Sequence, residues 1–371
     1  MTADIRHSAG SKHCLSLDGF WRQKFQTAGV VVLAFAGILA SPVKSEAASI
    51  DIVMDTSFAD EVLAEVCSNK ELDRDTVAAS PVVQDMLGHY QRFREYFTFD
   101  AYFEERQAAA NCQKAATNHF RFHQIVDERE AITENLQQVR RVTFQSMMPT
   151  LRRFSPSDAQ VSARAVPVLG TPSCGGWSGS DAFFVDLPCL RGDVSGLKYL
   201  AAHEIYHLIQ KEFMYASDGS SSVDKFLTEM MTEGSATAIV DFEQIKKPGP
   251  YSQMNLRQKK TNDRRMPINF DLLNIAVSQM QANPDEETYR HLYTIGMSGA
   301  YDAPMYGVGR VVFATVVNHV DSKTLLCLMK NDPADMLLTY QGLADRDTRF
   351  KGFGPAVLEY LNNRDFTPCK S

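Results

Sequence analysis

Apolar residues recur mostly at helical spacing from residue 50 onward. Asp55 to Cys67 reads as a capped amphipathic helix. Thr76 to Arg94, Asp100 to Cys112 and Asp127 to Phe154 carry apolar positions three and four apart with few breakers, which predicts a helical lobe. Ile50–Met54, Ala163–Leu169 and Ala182–Leu187 have the pattern of short strands. The last two are joined by the glycine-rich segment Gly170 to Ser180, read either as a plain hairpin loop or as a place where a substrate backbone comes close. Further helices are predicted at Phe270–Ala282, Val308–Val320 and Lys323–Met329. Lys246–Arg265, rich in Pro, Gly and Lys, predicts a mobile surface loop, and Ser217–Ser222 a flexible turn. No internal repeat or low-complexity tract interrupts the pattern, which is that of an α+β chain, mostly helical.

Residues 1–47 read differently. Arg22 and Lys24 precede an apolar run from Ala28 to Ala40, and Ser45-Glu46-Ala47 follows, the order of a secretory signal cut after Ala47. An uncleaved amino-terminal anchor is the alternative, and the long leading region places the true start downstream of Met1. This segment holds five basic and three acidic residues, so the remainder is more acidic than the −7 of the whole chain, a balance that does not suit nucleic acid. Six of the seven cysteines lie beyond it, at Cys67, Cys112, Cys174, Cys189, Cys327 and Cys369. An even count in an exported chain suggests disulfides. Sequence order would pair 67 with 112, 174 with 189 and 327 with 369, one of about 15 connectivities. Free buried thiols are the alternative.

The chemistry concentrates in Ala201-Ala202-His203-Glu204-Ile205-Tyr206-His207-Leu208. On a helix, His203 and His207 share one face a turn apart and can meet one metal ion, with Glu204 beside them as a base for a water. The motif's other positions are small or apolar, as a buried active-site helix requires. A second apolar helix follows, with Glu229 and Glu233 on one face and Gly234-Ser235-Ala236 after them. His119 and His123 repeat the histidine spacing with Phe, Arg and Phe between, which reads as an ordinary helix surface. His89 and His319 read as structural.

His-Glu-x-x-His followed by Glu-Gly-x-Ala on the next helix resembles the gluzincin clan of zinc metallopeptidases. More narrowly, it resembles little-characterised bacterial zinc-dependent peptidases of unknown function. The resemblance implies Glu233 as third ligand, with Glu229 the competing assignment, and Gly234 and Ala236 as small residues that let this helix approach the first. Where the best known gluzincins carry an Asp that holds a ligand histidine, this chain has Thr237, and Asp241 lies a turn further on. The His-x-x-Gly-x-x-His continuation of metzincins is absent after His207. By resemblance, Trp177 to Asp186 would be an exposed sheet edge that binds an extended peptide, with Trp177, Gly179, Asp181 and Ala182 as substrate-binding residues. An oxyanion donor is expected from the later lobe. His291, Tyr293, Tyr301 and Tyr306 are candidates, of which Tyr306 at a glycine-lined helix start is favoured.

These readings combine into a zincin-like fold with a small β-sheet beside the His-Glu-x-x-His helix and helical lobes on either side. The expected divisions are 1–47 signal, 48–160 amino-terminal helical lobe, 161–245 zinc-site core and 246–371 carboxy-terminal helical lobe. The expected function is an exported, periplasmic or extracellular metallopeptidase with one zinc per chain. In it Glu204 assists attack of a zinc-bound water on a peptide or protein substrate, with no stable membrane association after signal cleavage. The alternatives are a zinc-containing peptide or cell-wall binding protein without turnover, and a zinc hydrolase of a non-peptide substrate.

Overall fold

The computed structural model describes residues 48–213 and 221–369. The signal-like segment and most of the Ser217–Ser222 turn lie outside them. A four-stranded mixed sheet is the only sheet among the described residues, with order β1-β2-β4-β3. β1 (Ser49–Met54) runs parallel to β2 (Gln160–Val168), Ser49 opposite Gln160. β2 runs parallel to β4 (Ala182–Asp186), Arg164 opposite Ala182. β3 (Gly176–Ser178) is antiparallel to β4, Trp177 opposite Phe184, and forms the outer edge. Every residue of β4 is buried, as expected for a strand flanked on both sides and covered by helices.

Between β1 and β2 the chain forms α1 (Ser57–Glu65), α2 (Arg74–Ala79), α3 (Pro81–Gln91), α4 (Phe99–Ala110), α5 (Phe122–Asp127), α6 (Arg129–Val139) and α7 (Met148–Arg153). After β4 come α8 (Leu187–Leu190), α9 (Val194–Phe213), α10 (Ser222–Ala238), α11 (Pro250–Ala282), α12 (Glu286–Met297), α13 (Pro304–Val317), α14 (Ser322–Lys330), α15 (Pro333–Ala344) and α16 (Pro355–Asn362). The fold is therefore α+β and mostly helical, with the small sheet packed against α9. None of these helices is long and apolar enough to cross a membrane.

Several sequence expectations need correction. Lys246–Arg265 is not a loop: after Pro250, which occupies the first turn with Gly249 as cap, it is the first half of the 33-residue α11. Its Lys, Arg and Gln residues are good helix formers, and Pro248 and Pro250 mark the start of the helix rather than a break. The stretch Thr76–Arg94 is two helices, because Pro81 removes a backbone donor and turns Ser80 to extended geometry. Asp127–Phe154 is likewise interrupted, ending at Val139 and restarting at Met148. Strands β2 and β4 are parallel neighbours, not a hairpin, with β3 reversing in the connection between them. His119 and His123 do not share a helix face. Glu105 accepts the N–H groups of His119 and Phe120, and Arg121 takes φ +57° at the start of α5.

Disulfides join Cys67 to Cys112, Cys174 to Cys189 and Cys327 to Cys369, the pairing by sequence order. The second fastens the segment before β3 to α8. Beside it, the Arg121 guanidinium bonds the Thr171 carbonyl at 2.7 Å, the Ser173 carbonyl at 3.1 Å and the buried Asp186 carboxylate at 2.7 Å. The approach to β3 is thus held by covalent and ionic ties together.

Candidate active site

Helix α9 presents His203 and His207 on one face, and α10 brings Glu233 against them. His207 Nε2 lies 3.0 Å from His203 Nε2, and Glu233 Oε2 lies 3.2 Å from His203 Nε2 and 3.3 Å from His207 Nε2. These atoms form one group within 4.8 Å of one another, to which Glu229 does not belong. Cys174, Asp186 and Cys189 also cluster, but both cysteines are consumed by their disulfide.

A residue that no motif marked organises the group. Gln210, one turn beyond His207 and buried, donates through Nε2 to the Thr232 carbonyl at 2.9 Å and to Ser235 Oγ at 2.8 Å. A carbonyl only accepts, so the amide nitrogen is fixed on that side and Oε1 must face His207 Nδ1, 2.6 Å away. His207 therefore carries its proton on Nδ1 when neutral and turns the Nε2 lone pair toward His203 and Glu233. Neither Thr237, at the place of the gluzincin aspartate, nor Asp241 takes this part. Asp241 caps the turn after α10 through the Glu243 N–H. The i, i+3 spacing of His207 and Gln210 was visible in the sequence, but an amide at that place carries no signature.

The donor set fits a zinc ion: two imidazole nitrogens and a carboxylate oxygen. Four ligands at roughly 2.0–2.1 Å around a tetrahedral zinc stand about 3.3 Å apart, close to the separations above. The three groups also act on one another's charge. Burial opposes charge on His207, yet Glu233 draws its pKa up to about 9. Burial likewise opposes charge on Glu233, but His207 and His203 hold its carboxyl well below the usual carboxylate range.

Glu204 is buried next to the group, and burial raises its pKa against the pull of His203 and His207. The β3 backbone passes over it: a Cβ at Gly176 would lie 3.3 Å from Glu204 Oε1 and 2.7 Å from the Phe184 carbonyl. Only glycine allows that approach. Tyr306, in the first turn of α13, sets its ring nearly parallel to that of His203 at 6.5 Å, and burial, then Glu233, pushes its hydroxyl well above the ordinary value. Tyr293 also faces Glu233, whereas Tyr301 and His291 are exposed.

Of the expected edge residues, Trp177 is buried, stacked on Phe184 at 4.9 Å and on His89 at 5.3 Å, so β3 offers its backbone and not this ring. The Gly179 carbonyl accepts from Lys211 Nζ at 2.7 Å, which pins the end of β3 to α9. Asp181 is exposed and paired with Arg164, and Ala182 is buried on β4. His89 packs against Trp177 within the field of Glu233; burial lowers its pKa to about 4. Gly234 does not face α9. It faces Gly309 of α13, the backbone of one helix against the other, and this brings Tyr306 alongside Glu233. Two surface recesses, of about 370 Å³ at Tyr360 and Arg364 and about 160 Å³ at Glu105 and His123, lie away from this group.

The mostly helical α+β fold thus brings the His-Glu-x-x-His helix and a glutamate of the next helix together in one donor group. The chain belongs to the family described as "Putative zinc dependent peptidase (DUF5700)", whose model matches residues 75–349 and so spans the whole site. No curated protein and no solved structure matches the chain.

Proposed function

We propose that this protein is an exported zinc-dependent peptidase whose metal is held by His203, His207 and Glu233. The observation that carries the reading is the convergence of three lone-pair donors with the His207 tautomer set by Gln210. A zinc ion bound there supplies a Lewis acid that polarises a carbonyl and acidifies water.

Glu204 then serves as general base and acid. Its burial makes it a stronger base than an exposed carboxylate, suited to take a proton from the attacking water and deliver it to the leaving amine. Tyr306 stays protonated at neutral pH and donates to the oxyanion that develops on the substrate, a contribution of about 3 kcal/mol for such donors. The outer edge of β3, Gly176–Ser178, takes an extended peptide by backbone pairing, while Gly179 ends the strand and Asp181 and Ala182 lie beyond it. Three disulfides agree with an oxidising compartment and with residues 1–47 acting as a secretion signal. The working division is 48–160, 161–245 and 246–371, with the metal centre in the middle segment.

The test is metal content by mass spectrometry on residues 48–371, wild type beside Glu233→Ala and Glu229→Ala, with cleavage of a mixed peptide library read in parallel. About one zinc per chain is expected, lost with Glu233→Ala and kept with Glu229→Ala. Cleavage should vanish with Glu204→Gln. A wild type that binds no metal would overturn the reading. Metal without peptide cleavage would favour the binding protein or a hydrolase of another bond.

A further inference from the structure

Assembly of the donor group leaves one carboxylate at the site without a task. Glu229 sits one turn before Glu233 on α10, half-buried, and makes no hydrogen bond or ion pair among the described residues. Its field reaches Tyr289 and Tyr293, one turn apart on α12 with rings 5.7 Å from each other. Tyr293 continues to Phe93 of the segment after α3, ring to ring at 6.3 Å, and Phe93 to His89 at 5.4 Å. Lys225, one turn before Glu229, lies over the Tyr289 ring at 5.8 Å, so α10 meets α12 here and an aromatic row runs from α12 to α3, with Phe93 open to solvent.

The cations nearby are otherwise engaged. Lys211 donates to the carbonyls of Ser178 and Gly179. Arg92 turns its guanidinium to His89 Nδ1 at 2.9 Å. Lys225 lies over the Tyr289 ring at 5.8 Å without pairing to Glu229. A carboxylate with tyrosine and phenylalanine rings nearby is a surrounding that binds an organic cation, through charge and through the ring quadrupole.

We propose that Glu229, with Tyr293 and Phe93, forms a subsite for an ammonium or guanidinium group of the substrate, placed beside the bond to be cut. The inference rests on the zinc-peptidase reading of the adjacent donors and adds the substrate class. The cation has two sources, a lysine or arginine side chain and a free amino terminus.

The test uses four synthetic peptide pools, with or without Lys and Arg and with free or acetylated amino termini. Wild type and Glu229→Gln are compared by mass spectrometry of the cleaved bonds. Binding of the same pools to immobilised Glu204→Gln, with and without Glu229→Gln, is read alongside. Wild type should favour cationic peptides on the order of ten- to a hundredfold, the range of hydrogen bonds to charged groups. Glu229→Gln should abolish that preference and still cut neutral peptides, which also certifies its fold. Loss of the preference on acetylation assigns the amino terminus, and loss on removing Lys and Arg assigns the side chain. A wild type without preference, or one whose preference survives Glu229→Gln, overturns the subsite and leaves the peptidase standing. No cleavage by wild type, with cationic peptides retained by Glu204→Gln and released by the double variant, keeps the subsite and sinks the peptidase.

Discussion

Replacing Gly309 by alanine should destabilise the protein, although the same change in an unobstructed helix stabilises. A Cβ on Gly309 would lie 2.9 Å from the Gly234 Cα and closer still to the Met230 carbonyl oxygen. Carbon atoms rest about 3.5–4.0 Å apart, so α10 and α13 would have to part by roughly 1 Å. The obstacle is backbone, which cannot rotate aside. Met230, Phe226, Met305, Val308 and Val312 are buried without remainder near this crossing and would lose contact as it opens. Overpacking of this kind costs up to about 3 kcal/mol. The better helix propensity of alanine returns about 1 kcal/mol, which leaves a net loss of ~2 kcal/mol. Gly342 of α15 supplies the reference, because a Cβ there meets nothing within 4 Å; Gly342→Ala should gain up to ~1 kcal/mol. Urea unfolding at saturating zinc, for both variants and wild type, measures the difference. The parting should also move Tyr306 from Glu233, lowering turnover with zinc content intact. A Gly309→Ala protein as stable as Gly342→Ala would refute the reasoning.

Three further outcomes are expected. Gln210→Leu removes the acceptor that holds His207 Nδ1 and should weaken zinc binding about 10–100-fold, measured by competition with a chromophoric chelator; an unchanged affinity would mean that another group fixes the tautomer. In the metal-free protein the raised pKa of His207 contributes stability that is complete below the unfolded value of about 6.5 and lost as pH rises through about 9. Zinc must displace that proton, so its affinity should climb about tenfold per pH unit toward that value and then level, with proton release seen by calorimetry in two buffers; a flat profile between pH 7 and 9 would contradict it. Opening the Cys327–Cys369 bridge, which spans 42 residues, with serine at both positions should cost about 4 kcal/mol by loop closure, read as a fall in the denaturation free energy.

The pairing of His203 and His207 was legible because their spacing is local, whereas Glu233 over Glu229 followed from the resemblance of its Glu-Gly-x-Ala setting. Strand positions followed from short apolar runs, but their pairing did not, since a parallel neighbour with a reversed strand in the connection has the same local pattern as a hairpin. The first half of α11 was hidden by counting Pro, Gly and Lys as loop residues, when two prolines and a glycine stand where a helix begins. Gly234 looked like a contact for α9. Its actual partner, Gly309, lies 75 positions away, and no local periodicity connects the two. Gln210 and Glu229 each stand among other polar residues on their helices, and only their neighbours in space separate a support from a free carboxylate.

The parallel pairing of β1 with β2 bears on the order in which the chain acquires its shape. A chain emerging amino end first releases Ser49–Met54 long before Gln160–Val168, so the first strand must stay unpaired until more than a hundred further residues have appeared. The donor group then waits for α10, and Tyr306 for α13. Long-range pairings of this kind form slowly, and the nascent protein therefore passes most of its synthesis without the assembled donor group.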